Sequence, residues 1–196
     1  MIRPNLLGIA LLVASAAPAS AQVAAAPAGS NPEMQKMFEA DQGARLGAAA
    51  IDWTVLEKED AARKARTRVL LDSGALKTAD DYYRAAFIFQ HGSAPEDFLM
   101  AHALAVAATA KGHPKGAWIA AASLDRYLQN IGRKQIYGTQ YQTSEAGVTS
   151  QDPYDRALVP DSLRQALGVP GQADQEKRRA EFEARYRKAR DSKTPK

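Results

Sequence analysis

Three helical segments separated by very short turns constrain the fold of this chain more than any other feature. Gly92 separates the first from the second, and Gly112-His113-Pro114 separates the second from the third. Turns this short make consecutive helices pack antiparallel. The middle segment, 98–110, is apolar on nearly all sides, a pattern typical of a central buried helix. The sequence therefore predicts a mainly α fold in which antiparallel helical hairpins form a single bundle-like domain.

Two further helices are predicted before this hairpin array. Asn31-Pro32 is a good helix start, and Asp52 is a good N-cap for a second helix that ends at Gly74. Paired helices also resemble tetratricopeptide or Sel1-type repeats, but no clean 34-residue period is present, so we favour the bundle. The apolar stripe expected on the second helix consists of Val55, Ala62, Ala65 and Val69.

The first 21 residues are typical of a signal peptide. Arg3 supplies a basic start, residues 6–14 form an apolar run, and Ala19-Ser20-Ala21 matches a cleavage site. The run is shorter than the ~20 apolar residues that a membrane span needs. We therefore expect a periplasmic or secreted protein whose mature chain begins at Gln22, with a flexible leader over 22–30 and the helical domain over 31–170.

The cysteine content and the net charge limit the modifications and the classes of partner expected for this chain. The chain has no cysteine, so a disulfide framework and a lipidated N-terminal cysteine are both excluded. The net charge is +4, and residues 176–190 carry most of the excess. Without a basic groove elsewhere, nucleic acid is not an expected partner. Residues 171–196 are predicted to be a charged helix and tail, either solvated or touching an acidic surface, with Phe182, Tyr186 and Ala189 as a docking stripe.

The polar segment after the fifth helix contains the candidate site. Asp125 lies at the edge of the apolar stripe of that helix, Arg126 follows it, and Gly132 ends the helix. The next residues predict a short β-hairpin or extended segment in which Gly138 marks a bulge or a close backbone approach. We expect Gln135, Thr139 and Gln140 to line a polar pocket, and Asp41–Arg45 on the first helix to be a surface ion pair.

The three histidines do not have the spacing of a metal site, and no metal is expected. His102 lies in the apolar fourth helix and is expected to be a satisfied structural residue. His91 ends the third helix, where the helix dipole and a carboxylate such as Asp125 would favour its charged form. Such a histidine serves acid–base chemistry or links two helices, and we favour the structural link.

Three motifs give the chain a resemblance to a known family. They are Gln90-His91, Asp125-Arg126 and Gln135-Ile136-Tyr137-Gly138-Thr139-Gln140. With the closing segment 160–170, they resemble an uncharacterised bacterial domain-of-unknown-function family over roughly residues 41–170. The resemblance implies that these residues belong to one site. It implies no activity.

Two functional hypotheses follow. The chain lacks a serine nucleophile elbow, a phosphate loop and a dinucleotide fingerprint, and no cofactor is expected. The favoured hypothesis is a helical module of the cell envelope that binds a small molecule, a peptide or another envelope protein, with catalysis not favoured. The alternative is a metal-independent hydrolase or lyase that uses His91 and Asp125. Both place Gln90 and His91 at the same end of the bundle as the segment 135–140.

Signal cleavage is predicted to follow Ala21. The exported protein should therefore have the intact mass of a chain that starts at Gln22, measured by mass spectrometry of the periplasmic or secreted fraction. Recovery of the protein with Met1 to Ala21 still attached would contradict the export interpretation.

Overall fold

A computed structural model describes residues 29–46 and 51–191, which form a helical bundle followed by a small hairpin and two further helices. The elements are α1 (Pro32–Leu46), α2 (Trp53–Asp72), α3 (Ala79–Gln90), α4 (Pro95–Ala110), α5 (Gly116–Asn130), β1 (Gln142–Thr143), β2 (Thr149–Ser150), α6 (Asp161–Ala166) and α7 (Gln172–Asp191). The mainly α prediction with a short hairpin after the fifth helix is confirmed. The predicted signal peptide, and the predicted leader up to residue 28, lie outside the described residues.

Side-chain caps determine where the helices begin. Asp52 accepts hydrogen bonds from the backbone N–H groups of Thr54 and Val55, as the sequence indicated. Thr78 and Asp81 form a capping box at the start of α3. At the start of α4, Ala94 is the N-cap residue, and the Asp97 carboxylate accepts from its backbone N–H.

The core lies where α3, α4 and α5 pack together with α1. Its fully buried residues include Met34, Ala101 and Ile119, with Ile88 and Leu104 almost as deeply placed. The expectation that α4 is enclosed on every side is wrong, since Leu99 and Val106 remain 45% and 48% exposed. The main neighbours of α4 are α3 and α5, and these two helices leave its outer face open.

The face that α2 buries is not the predicted apolar stripe. Val55 and Val69 are each 51% exposed, whereas Leu56, Thr67 and Leu70 are buried. Arg63 and Lys64 also reach carboxylates on other helices, Asp41 of α1 and Asp97 of α4. Buried leucines and ion pairs between helices, and not the predicted stripe, therefore form the inner face of α2.

The segment after α5 folds back over the bundle as loop and hairpin. Strands β1 and β2 are antiparallel, with Gln142 opposite Ser150 and Thr143 opposite Thr149. Gln135 forms an isolated parallel bridge with Tyr154. None of the helices within the described ranges is both long and apolar enough to cross a bilayer.

Helix α7 is docked, contrary to the expectation of a solvated tail. Gln175 is almost completely buried, and Phe182 lies edge-on to the Tyr141 ring at 5.0 Å. The Tyr186 hydroxyl donates to the Glu145 carbonyl, and the Glu183 carboxylate accepts from the backbone N–H of Thr149. The part of the predicted tail from Gln172 to Tyr186 is thus packed on the folded domain.

Replacing Gly138 by alanine should destabilise the fold strongly. Gly138 has a φ of +78°, and a Cβ there would overlap Gln175 Oε1 and lie 2.6 Å from the Tyr154 hydroxyl. Gly112→Ala is the matched control, since Gly112 has a φ of +89° with nothing within 4 Å of the added Cβ. We expect about 1 kcal/mol of strain in both variants and about 2 kcal/mol more in Gly138→Ala from overpacking. Urea unfolding measures the difference, and equal losses would contradict the close approach.

Candidate functional site

The Asp125 carboxylate organises the loop that follows α5. Its Oδ1 accepts from the backbone N–H groups of Ile136 and Tyr137, at 2.8 and 3.0 Å. Its Oδ2 accepts from the backbone N–H and the hydroxyl of Thr139, at 3.0 and 2.8 Å. The side chain is completely buried. One carboxylate on a rigid helix therefore fixes the path of residues 136–139.

Two opposing effects act on the pKa of Asp125. Burial raises it above the usual value, and the hydrogen bonds from Thr139, Tyr137 and Ile136 lower it, with burial the larger effect. Both oxygens are fully used as acceptors. Asp125 therefore has no lone pair directed at a ligand, and its role in the structure is to position the loop.

Gln135 and Gln140 bond to each other and close the loop. Gln135 Oε1 accepts from the Gln140 backbone N–H at 3.0 Å, and Gln135 Nε2 donates to the Gln140 carbonyl at 3.0 Å and to the Gln151 carbonyl. Gln140 Nε2 donates to the Ala122 carbonyl on α5 at 3.2 Å. These side-chain amides form hydrogen bonds with the protein backbone and do not face an open pocket.

Two more glutamines extend this arrangement to α7. Gln151 Nε2 donates to the Gly138 carbonyl at 2.6 Å and to Gln175 Oε1 at 3.1 Å. Gln175 Nε2 donates to the carbonyls of Tyr137 and Pro170, at 2.9 and 2.7 Å. We call Gln135, Gln140, Gln151 and Gln175 the amide network. Its members satisfy one another and the backbone, as buried polar groups must.

A cleft of about 190 Å³ lies beside the amide network. Its lining is Gln151, Tyr154, Arg156, Gln172, Gln175 and Glu176. The Arg156 guanidinium lies 4.4 Å from the centre of the Tyr154 ring, and Gln172 Nε2 donates to the Arg156 carbonyl at 2.8 Å. Because most of these polar groups already have partners, the cleft offers a ligand few free contacts.

A second polar cluster joins α1, α2 and α3. Asp41 Oδ1 accepts from Arg45 at 2.6 Å, and it lies 3.0 Å from His91 Nδ1. Asp60 pairs with both Arg45 and Arg63, at 2.5 and 2.8 Å. We call Asp41, Arg45, Asp60, Arg63 and His91 the ion-pair network. The predicted Asp41–Arg45 pair exists, but its placement on the surface is wrong because Asp41 is completely buried.

His91 has Asp41, from α1, as its carboxylate partner. Burial holds the pKa of His91 below its usual value, and the positive charges of Arg45 and Arg126 lower it further, against the raising effect of Asp41. A carboxylate can only accept, so Nδ1 of neutral His91 carries the proton that Asp41 binds. The other ring nitrogen, Nε2, is buried without a hydrogen-bond partner among the described residues.

Arg126 and Gln90 are buried without the partners that such groups normally have. Arg126 is 8% exposed, its Nε is unbonded, and no ion pair joins it to any carboxylate in residues 29–46 and 51–191. Burial and the nearby Arg45 lower its pKa to about 10. Gln90 is completely buried, and both of its amide atoms are unbonded within the same ranges. We call Gln90, His91 and Arg126 the unpaired set.

The structure separates the predicted site residues into two groups. The first group surrounds the Asp125 carboxylate and contains Asp125, Gln135, Tyr137, Gly138, Thr139 and Gln140. The second group is the unpaired set. The positive charge of Arg126 contributes to the lowered pKa of His91. Arg126 is not held by Asp125, because that carboxylate binds the loop instead.

Sequence reasoning missed several residues of these clusters. Asp41 was placed on the surface because an i, i+4 Asp–Arg pair is typical of a wet helix face. Arg63 has the same i, i+4 spacing from an acid, Glu59, and this spacing also predicts an exposed pair. Gln151 and Gln175 lie in polar stretches where no periodicity distinguishes a buried amide from an exposed one.

Comparison of the chain with family models, with curated proteins and with solved structures gives no match. The resemblance to a domain-of-unknown-function family therefore stays an expectation. Among the described residues, no group of three or more His, Cys, Asp or Glu side chains is arranged to hold a metal ion. The geometry of the two networks and of the unpaired set is thus the basis for any functional proposal.

Replacing Asp125 by alanine should release the loop. The change removes the acceptor from three backbone N–H groups and one hydroxyl, and orphaned buried donors cost ~1–3 kcal/mol each. We expect a loss of about 3 kcal/mol or more in urea unfolding, and a smaller loss for Asp125→Asn, which keeps one acceptor oxygen. Asp152→Ala is the control, because that side chain is 67% exposed and should change stability by less than about 0.5 kcal/mol. Similar losses in Asp125→Ala and the control would contradict the anchoring role.

Proposed function

We propose that this protein is a binding module of the cell envelope and that its ligand contacts the unpaired set, Gln90, His91 and Arg126. One observation carries the proposal: Arg126 is 8% exposed, its Nε is buried and unbonded, and no carboxylate of the described chain pairs with it. An uncompensated buried charge costs several kcal/mol. A bound ligand that pairs with Arg126 would offset this cost.

The other buried glutamines support a functional interpretation of Gln90. Gln135, Gln140, Gln151 and Gln175 are all bonded. Gln90 is the exception among the glutamines that the described ranges bury, with neither amide atom bonded. Because those four amides are bonded and Gln129 leaves only its Nε2 buried and unbonded, the wholly unbonded amide of Gln90 fits a ligand contact better than a structural one.

The surroundings of the unpaired set suit binding. Asp125, the residue before Arg126, is held by the loop, and His91 is held by Asp41. Groups fixed in this way lose little conformational entropy when a ligand binds. His91 would therefore present a preorganised acceptor at the end of α3.

We also propose that the protein acts outside the cytoplasm. The support is in the sequence: Arg3, the apolar run over 6–14 and the Ala19-Ser20-Ala21 site. The absence of cysteine leaves the stability of the mature chain to its core and its buried polar contacts. The unknown small molecule, peptide or envelope protein that binds would thus be met in the periplasm or outside the cell.

A metal-independent hydrolase or lyase is the second candidate. The observation that favours it is the pair formed by Asp41 and His91 Nδ1 at 3.0 Å, with Nε2 unbonded among the described residues. An oriented, neutral histidine of this kind can act as a general base. In this candidate Asp41 takes the orienting role that we first gave to Asp125. An enzyme would convert the ligand, and its His91→Gln variant would bind without turnover.

Arg126→Met tests the binding proposal. We expect the ligand-free variant to be at least as stable as the wild type, because an unpaired buried charge is removed and no hydrogen bond is lost. The purified protein is heated with panels of amino acids, sugars, hydroxy acids and short peptides. A true ligand at about 100 times its Kd should raise the Tm of the wild type by about 5 °C or more and leave that of Arg126→Met unchanged.

Arg133→Gln is the matched control, since Arg133 is exposed just after α5 and should respond to the ligand as the wild type does. Two results would contradict the proposal. One is a marked fall in the stability of ligand-free Arg126→Met, which would give Arg126 a structural role. The other is a ligand response that survives the substitution.

A further inference from the structure

From the charges and free atoms of the unpaired set we infer the chemical class of the ligand: a small organic monoanion that carries one carboxylate and a hydroxyl or N–H donor close to it. The inference rests on the proposed function. It names what Arg126, His91 and Gln90 would each bind.

The charge balance of the region points to a single negative charge. The two inner carboxylates, Asp41 and Asp60, are paired with the guanidinium groups of Arg45 and Arg63. Glu59 also contacts Arg63, but its side chain is 51% exposed and solvated. Arg126 has no such partner, because the other buried carboxylate, Asp125, binds the loop after α5. A carboxylate monoanion would pair with Arg126, whereas a phosphate dianion would bring an extra negative charge into a buried place.

The shape of the guanidinium agrees with this class. Its planar fork of N–H donors binds both oxygens of a carboxylate at once. Arg126 Nε is buried and unbonded, so at least one of those donors is free of the protein that the structure describes. Arg126 cannot accept a hydrogen bond, and a neutral ligand would leave its charge uncompensated.

The required donor follows from the tautomer of His91. Asp41 accepts the proton on Nδ1, so Nε2 of neutral His91 carries a lone pair and can only accept. A second carboxylate oxygen cannot fill that place, but a hydroxyl or an N–H can. Gln90 adds one free carbonyl oxygen and one free NH₂ group, which suit the same hydroxyl or an amide. Hydroxy acids and N-acylated amino acids meet all three demands.

The contacts that cover the unpaired set indicate where a ligand would enter. Gln90 is completely buried, and the His91 side chain is 7% exposed. Asp41 of α1 lies against His91, so the C-terminal half of α1 covers this side of the set. A ligand would therefore enter beside this end of α1.

The test uses matched probes and the full purified protein. Lactate and mandelate are each compared with the acid that lacks the hydroxyl, propionate or phenylacetate, and with the neutral amide, lactamide or mandelamide. Isothermal titration calorimetry measures the Kd. We expect the hydroxy acid of at least one series to bind about tenfold or more tightly than either counterpart, as one hydrogen bond or one charge contact requires. Inorganic phosphate should bind more weakly than that hydroxy acid.

Two variants test which residue causes the preference for the acid and which causes the preference for the hydroxyl. Arg126→Gln keeps a hydrogen-bonding side chain without charge, and it should reduce the preference of acid over amide to about onefold. His91→Phe should remove the preference for the hydroxyl and leave the preference for the acid. Arg133→Gln should keep both preferences.

Each remaining outcome overturns the inference. Equal affinities for acid and amide would show a neutral ligand, and tighter binding of phosphate would show a different oxyanion. Both results leave the proposed function standing if binding still depends on Arg126. If no probe binds and no compound of the larger panel shifts the Tm, the proposed function falls as well, and the unpaired set holds buried water only.

Discussion

The hydrogen bonds of the Asp125 carboxylate are the interaction on which the second half of the structure depends. They fix residues 136–139 against α5, and this places Gln135 and Gln140 so that their amide and backbone groups meet. Gly138 then approaches Tyr154 and α7 so closely that no side chain fits. The positions of the loop, the hairpin and α7 therefore all depend on the buried Asp125 carboxylate.

The side chains of the consecutive residues Asp125 and Arg126 have different surroundings. A residue on a helix is rotated by about 100° from the one before it, so the two side chains leave α5 in different directions. Asp125 points to a loop that supplies four donors. Arg126 has no ion pair within the described ranges, and the two carboxylates of the ion-pair network already have guanidinium partners. A polar pair that looks like one motif therefore belongs to two clusters, with loop positioning assigned to Asp125 and ligand contact proposed for Arg126.

Local signals explain what could be predicted and what could not. The helix starts at Asp52 and Thr78 depend on side chains a few residues away, so the sequence contains them. Short turns decide which helices are neighbours, which made the hairpin array predictable. The inner face of α2 was predicted wrongly, because Lys64 and Arg63 find their acids on other elements or in a buried setting. Asp41 and Gln175 were missed for the same reason, since their partners lie far away in the chain.

The docking of Gln175 determines how much of the chain must be present before the amide network can form. Its amide binds the carbonyl of Tyr137, and its oxygen accepts from Gln151, so two segments that precede it by dozens of residues need it to satisfy their buried groups. A nascent chain that has emerged only as far as Gly171 contains α1 to α6 but cannot close the amide network. Helix α7 therefore completes the interior beside Asp125, and a chain that lacks it leaves the Tyr137 carbonyl and Gln151 Nε2 without one of their buried partners.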